Sequence, residues 1–138
     1  MKVKPIPHVQ QRLFDFYRLF MDHYMLQIEC STWKDEPDNR VNIIFPDGAQ
    51  HYQVTRETWK DNLIHKINQE QESKDNFFFE VVSKKEYSRY LEEESSGIFD
   101  TVRDDYHIYI FFFVDDVIEI VSYKEPIFVY SYTYERLE

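Results

Sequence analysis

The sequence predicts an α+β protein built mainly on an antiparallel sheet. Its C-terminal part contains three runs rich in β-branched and aromatic residues, 107–114, 117–124 and 127–134, which are typical of strands. Short breaks at Asp115-Asp116 and Glu125-Pro126 separate these runs. Consecutive strands joined by short turns favour antiparallel pairing, so we expect a three-strand meander. Helical periodicity elsewhere in the chain supplies the α component.

The N-terminal part carries the first helical pattern. Apolar residues recur there at spacings of three and four, which predicts an amphipathic helix over residues 8–24. The residues of this pattern are Val9, Leu13, Phe16, Phe20 and Tyr24. Segment 25–33 loses the helical period and is predicted to be a strand, and 34–40 is polar enough to be a loop.

The middle of the chain alternates between strand and helix patterns. Segments 41–45 and 51–55 are predicted strands on either side of the turn signal Pro46-Asp47-Gly48. A helix is expected from about Thr55 to Gln71, and a strand over 76–83.

A third helix is expected after that strand. Ser83 and Glu86 have the spacing of a capping box at its start, and Gly97 suits its C-terminal cap. About three helices should therefore pack on the sheet, and residues 1–138 should form a single domain.

Composition restricts the class of protein. A chain of 138 residues with 43% hydrophobic content can form a real core. The longest apolar run, 108–114, is too short to cross a bilayer, and the N-terminus lacks the apolar stretch of a signal peptide. The single cysteine, Cys30, excludes an internal disulfide and fits a reducing compartment. These features predict a soluble, cytoplasmic protein.

The sequence contains no motif for a familiar catalytic, cofactor or metal site. With only two glycines, it cannot form a P-loop or a dinucleotide-binding loop. Its five histidines lack the short paired spacing of a zinc site. Cys30 alternates with Leu26 and Ile28, which is typical of a buried apolar side chain. We therefore expect no enzyme and no cofactor, although a carboxylate-rich site for a divalent cation stays open.

The charge balance predicts the kind of partner. The chain has 26 acidic and 16 basic side chains, giving a net charge of −10. This balance disfavours direct binding to nucleic acid or to an anionic membrane, and it favours a basic protein partner. Turn formation and solvation are the alternative explanation of the acidic clusters. The candidate partner-binding carboxylates are Glu92, Glu93, Glu94, Asp104, Asp105, Asp115 and Asp116.

Tyrosines of the last predicted strand form a second candidate contact surface. Strand alternation places Phe128, Tyr130, Tyr132 and Tyr134 on one face. Tyrosine is enriched at protein interfaces, but one face of this strand must also pack into the core. The pattern leaves open whether the tyrosine face is core or contact.

A small, acidic, aromatic α+β chain of this kind resembles the immunity proteins of bacterial toxin–immunity systems, including contact-dependent growth inhibition. The resemblance rests on segment 55–67, TRETWKDNLIHKI, and on segment 107–121, HIYIFFFVDDVIEIV. It implies a stoichiometric inhibitor, or antitoxin, that occludes the surface of a cognate toxin, often a basic nuclease. It transfers no binding residue, because immunity proteins have many unrelated folds.

Three alternatives remain at the level of sequence. The chain could mimic nucleic acid and antagonise a host DNA-binding protein, as phage-type antagonists do, if its carboxylates formed a long regular stripe. It could be a small enzyme if distant histidines and carboxylates met in a deep pocket. It could be a phage or bacterial structural subunit, and the sequence does not determine the oligomeric state.

Overall fold

The computed structural model describes residues 1–32, 39–68, 75–94 and 105–132, without the side chains of Tyr17, Asn68, Glu94 and Tyr132. Nine strands, two α-helices and a 3-10 turn make up this part of the chain. In chain order they are β1 Val3–Pro5, β2 Phe14–Asp22, β3 Met25–Thr32, β4 Asn39–Phe45, β5 His51–Arg56, the 3-10 turn Glu57–Trp59, α1 Asp61–Asn68, β6 Phe78–Val81, α2 Lys84–Glu94, β7 His107–Phe112, β8 Asp116–Ser122 and β9 Ile127–Tyr132.

The strands form two antiparallel sheets. Sheet A has the order β1-β6-β7-β8-β5, and sheet B has the order β2-β3-β4-β9. The prediction of a mainly antiparallel α+β fold is therefore confirmed. The turn at Gly48 joins β4 of sheet B to β5 of sheet A, so the two strands that flank it do not form a hairpin.

Side chains from the two sheets meet in one core, and the helices cover the other face of sheet A in a second core. Alternation along β7 explains this arrangement, because Tyr109 and Phe111 point into the core between the sheets while Ile108 and Ile110 point toward the helices. The sequence showed apolar residues on both faces of this strand, and the structure provides a cover for each. The order of layers is sheet B, sheet A, helices.

The helix predicted over 8–24 is wrong, because residues 14–22 form strand β2. The reason is a β-bulge between Phe16 and Arg18. Phe14 and Phe16 pack inward two residues apart, and the extra residue of the bulge makes the next inward side chain Leu19. An i, i+2, i+5 pattern contains a spacing of three, which imitates one turn of a helix.

Two helices, rather than about three, lie in the described part of the chain. Helix α1 falls within the predicted 55–71 segment but begins only at Asp61, after the end of β5 and the 3-10 turn. Helix α2 begins at Lys84, next to the predicted cap Ser83. The proposed cap Gly97 lies outside the described residues.

The predicted C-terminal meander is also corrected. Strands β7 and β8 form the expected hairpin, with His107 opposite Ser122 and Phe112 opposite Val117. Strand β9 leaves sheet A and pairs with β4 in sheet B. The connection at Glu125-Pro126 therefore carries the chain from one sheet to the other.

A buried polar cluster attaches the helix side to sheet A. Glu119 of β8 is fully buried and accepts hydrogen bonds from Tyr87 Oη at 2.9 Å, Gln53 Nε2 at 2.5 Å and Tyr90 Oη at 3.4 Å. The Lys60 ammonium lies 3.2 Å from its carboxylate, is itself buried, and donates to the hydroxyl of Tyr90. This cluster joins β5, β8, α2 and the residue before α1 through one carboxylate.

Candidate interaction site

The turn between β7 and β8 is held in place by three backbone hydrogen bonds. Phe113 N donates to Asp116 O at 2.8 Å, which closes the turn. Val114 N donates to Phe14 O at 3.1 Å, and Glu57 N donates to Asp115 O at 2.9 Å. These contacts fix Asp115 and Asp116 against β2 of sheet B and against the 3-10 turn. They also explain why Asp15 and Glu57 come close to the turn aspartates.

Both burial and neighbouring charges act on the carboxylate of Asp116. Burial raises the pKa of Asp116 above its ordinary value, and the neighbouring carboxylates of Asp115 and Asp15 raise it further. The guanidinium of Arg56 acts in the opposite direction. Because the net effect is a raised pKa, the positive charge near Asp116 does not compensate for the burial and for the negative charge around it. We call Asp15, Glu57, Asp115 and Asp116 the acidic end.

An apolar cavity of about 220 Å³ opens beside the acidic end. Leu13, Phe77, Phe112 and Phe113 contribute to its wall, and so does Glu57 of the acidic end. Leu13 remains 40% exposed at its edge. An apolar recess with Glu57 in its wall matches a partner side chain that is aliphatic along its length and positively charged at its tip.

The remaining predicted carboxylates do not join this group. Glu92 and Glu93 are exposed on α2, in the helix layer, and the side chain of Glu94 is not described. Asp105 precedes β7 and is therefore at the opposite end of that strand from Asp115 and Asp116. Asp104 lies outside the described residues. Among the described residues of these clusters, the turn pair Asp115 and Asp116 lies beside a further carboxylate, that of Asp15.

Asp15 and Glu57 were not identified from the sequence. Asp15 fell inside the segment wrongly predicted as a helix, and Glu57 followed a strand end without any motif. Both reach the acidic end through contacts between residues far apart in the chain. The apolar spacing around the bulge of β2 predicted a helix in place of this strand.

The tyrosine face of β9 packs inward where it is described. Phe128 and Tyr130 are half-buried against the core between the sheets, and the Tyr130 hydroxyl accepts a hydrogen bond from Gln10 N at 3.0 Å. The opposite face is the exposed one, with Ile127 at 53% and Val129 at 48% exposure. The side chain of Tyr132 and all of Tyr134 lie outside the described residues. The sequence left open whether this face is core or contact, and the structure packs Phe128 and Tyr130 against the core between the sheets.

Groups with catalytic potential are built into the packing. Cys30 is fully buried, and its Sγ donates a hydrogen bond to Val41 O at 3.7 Å. Burial raises the pKa of the thiol. The prediction that Cys30 is a buried apolar side chain is confirmed. His107 Nδ1 and Glu80 Oε2 are 3.3 Å apart, half-buried at the end of β7 that lies away from the acidic end.

In the part of the chain that the structure describes, no three or more His, Cys, Asp or Glu side chains are grouped so that they could hold a metal ion. Neither α1 nor α2 is long and apolar enough to span a membrane. The chain matches no protein-family model, no curated protein and no solved structure.

Proposed function

We propose that the chain is a protein-binding inhibitor without catalytic activity of its own, of the immunity type, which binds a basic partner through the acidic end. In this proposal the partner is a toxin domain, of which a basic nuclease is the expected class, and inhibition takes place in the cytoplasm by occlusion of its surface. The observation that carries the proposal is the meeting of Asp15, Asp115 and Asp116 beside an apolar cavity whose wall includes Glu57, with the pKa of Asp116 raised.

The raised pKa gives the argument its physical basis. Burial raises the pKa of Asp116, and the carboxylates of Asp115 and Asp15 add to the shift against the opposing guanidinium of Arg56, so ionisation costs more than in an exposed aspartate. A cationic side chain of a partner would stabilise the ionised carboxylate on binding. An aliphatic stem leading to the cation would fill the adjacent cavity and remove apolar surface from water.

The distribution of charge favours this reading over mimicry of nucleic acid. A mimic needs carboxylates spaced along a stripe, like the phosphates that they replace. Among the described residues, the acidic end is a compact group, whereas Glu92 and Glu93 lie on a different layer. A compact group suits a local contact with a basic cleft.

The test takes a toxin candidate from the genes that neighbour this chain's own, and measures protection of cells against it and binding to it. Co-expression should protect cells from that toxin, and the purified pair should associate faster at low salt. The double variant Asp115→Asn/Asp116→Asn should slow association by about tenfold and flatten its salt dependence. The matched control is Glu92→Gln/Glu93→Gln, which changes net charge equally on exposed helix positions.

Two outcomes would count against the proposal. If the control slowed association as much as the turn variant, net charge rather than the acidic end would be responsible. If neither the wild-type protein nor the control protected cells or bound the toxin, the inhibitor function itself would be wrong.

A further inference from the structure

A second cavity lies at the other end of β7 from the acidic end. Lys4, Glu80 and Tyr109 are consecutive cross-strand neighbours on β1, β6 and β7, and all three line this cavity. The loop around Pro7 and the connection from β8 to β9 at Glu125-Pro126 complete its wall, together with Phe128. Its volume is about 260 Å³. A cavity of about 150 Å³ can hold a benzene molecule, so this one has room for a small organic ligand.

The hydroxyl of Tyr109 is the unexplained group in this cavity. Tyr109 is only 2% exposed, and its hydroxyl has no hydrogen-bond partner among the described residues. The ring itself is firmly packed, with centroids 5.8 Å from Phe45, 6.2 Å from Phe111 and 6.1 Å from His107. A phenylalanine would make the same ring contacts without burying an unpaired hydroxyl, which costs free energy. Packing alone therefore does not explain the hydroxyl, which is a candidate hydrogen-bond partner for a ligand in the adjacent cavity.

The charges around the hydroxyl indicate what kind of ligand would bind. Burial raises the pKa of Tyr109, and the carboxylates of Glu80 and Glu125 raise it further, so the phenol stays neutral in a negative potential. The Lys4 ammonium is 3.6 Å from Glu80, but its side chain is largely exposed. His107 contacts the same carboxylate at 3.3 Å. The wall contains two carboxylates, one ammonium and the imidazole of His8, and the two carboxylates favour a cation that can donate a hydrogen bond.

We propose that this cavity binds an alkylammonium group, either on a free aliphatic amine or at the end of a lysine side chain. The ammonium donates a hydrogen bond to the Tyr109 oxygen, and Glu80 and Glu125 balance its charge. Its alkyl chain lies against the apolar part of the wall, which includes Ile6, Pro126 and Phe128. This site is separate from the acidic end and does not depend on the function proposed above.

The experiment titrates the ¹⁵N-labelled protein with two probes, 1,5-diaminopentane and N-acetyl-lysine amide, and follows amide shifts near His107 and Tyr109. Pentan-1-ol is the uncharged control. We expect at least one amine to give saturable shifts, and pentan-1-ol to give none. Tyr109→Phe should weaken amine binding by about tenfold or more, the loss expected for one hydrogen bond to a charged group, while the denaturation midpoint stays equal or rises. Glu80→Gln should weaken amine binding as well.

Tyr52→Phe is the matched control variant. Tyr52 belongs to the same cross-strand row of sheet A, at its far edge, and is 45% exposed, so removing its hydroxyl should leave amine binding unchanged. Saturation by diaminopentane alone would assign the site to free amines, and saturation by acetyl-lysine amide would assign it to a protein side chain. The proposal is overturned if neither amine saturates below about 20 mM, which corresponds to negligible affinity. It is overturned equally if pentan-1-ol binds as well as the amines, or if Tyr109→Phe binds as tightly as wild type.

Discussion

Substitution of Lys60 by methionine should destabilise the protein strongly, because it leaves the Glu119 carboxylate buried without its cation. Both side chains are almost completely inaccessible, with 3% exposure for Lys60 and 0% for Glu119. Breaking a buried ion pair by removing one partner costs about 3–5 kcal/mol of unfolding free energy. Three hydrogen bonds to the Glu119 carboxylate remain, from Tyr87, Gln53 and Tyr90. We therefore expect a loss near the lower limit, about 3 kcal/mol.

The assay is urea denaturation followed by far-UV circular dichroism, applied to a double-mutant cycle. Glu119→Gln alone should also be costly, since it leaves the ammonium of Lys60 buried without a counter-charge. The double variant Lys60→Met/Glu119→Gln removes both charges and should lose less than the sum of the single losses. We expect a coupling energy of at least about 2 kcal/mol, within the range for residues in contact.

Lys124→Met is the matched control. Lys124 Nζ lies 2.9 Å from Asp47 Oδ2, but the two side chains are 66% and 56% exposed. Solvent screens such a pair, so this substitution should change stability by less than about 1 kcal/mol. The reasoning is refuted if Lys60→Met costs no more than Lys124→Met, or if the double-mutant cycle shows no coupling.

Two further predictions concern the turns at Gly48 and Asp116. Gly48→Ala should cost at least about 1–2 kcal/mol of unfolding free energy. The φ angle of Gly48 is +74°, and an added Cβ would lie 2.7 Å from the backbone oxygen of Tyr24. An unchanged urea midpoint would contradict this prediction. Asp116→Asn should stabilise the protein at pH 7. The raised pKa of Asp116 means that the folded state binds more protons than the unfolded state. Ionisation of Asp116 therefore lowers the stability of the protein as the pH rises above the unfolded pKa of 3.8. This gain in stability should disappear below pH 3.8, where Asp116 is protonated in both states. Urea titrations of the variant, with Asp47→Asn as the control, measure the effect. A loss of stability at pH 7 would contradict the predicted direction of the change.

The sequence predicted strands well where strict alternation or a dense apolar run existed. Segments 25–33, 41–45 and 51–55 coincide with β3, β4 and β5, and both described helices fall within predicted segments. Segment 8–24 failed for a physical reason. Its bulge breaks the period of two, and its hairpin turn uses His23 and Tyr24 with φ of 47° and 70°. Positive φ at both turn residues is normally signalled by Asn-Gly, so a His-Tyr turn cannot be recognised from sequence.

The partner of β9 could not be predicted for a different reason. Each strand pattern states which face is apolar, but not which sheet receives the strand. Residues 127–132 follow β8 after a short connection, which favours pairing with β8. Their pairing with β4 buries Phe128 and Tyr130 against the core between the sheets, and it leaves Ile127 and Val129 half-exposed. The pairing of β9 with β4 therefore depends on long-range packing, which the local sequence pattern does not specify.

The candidate sites depend on the same long-range contacts, and this affects how the acidic end should act. Its turn is tied by backbone hydrogen bonds to Phe14 and to Glu57, so the backbone that carries Asp115 and Asp116 is positioned before any partner arrives. A positioned group loses little conformational freedom on binding, and this raises affinity without additional contact area. The cost of ionising the partly buried Asp116 opposes folding of the free protein, and a partner cation would reduce that cost. Neutralising Asp115 and Asp116 should consequently slow association with the partner without lowering the stability of the free protein. If the role of these two residues were purely structural, their neutralisation would lower that stability.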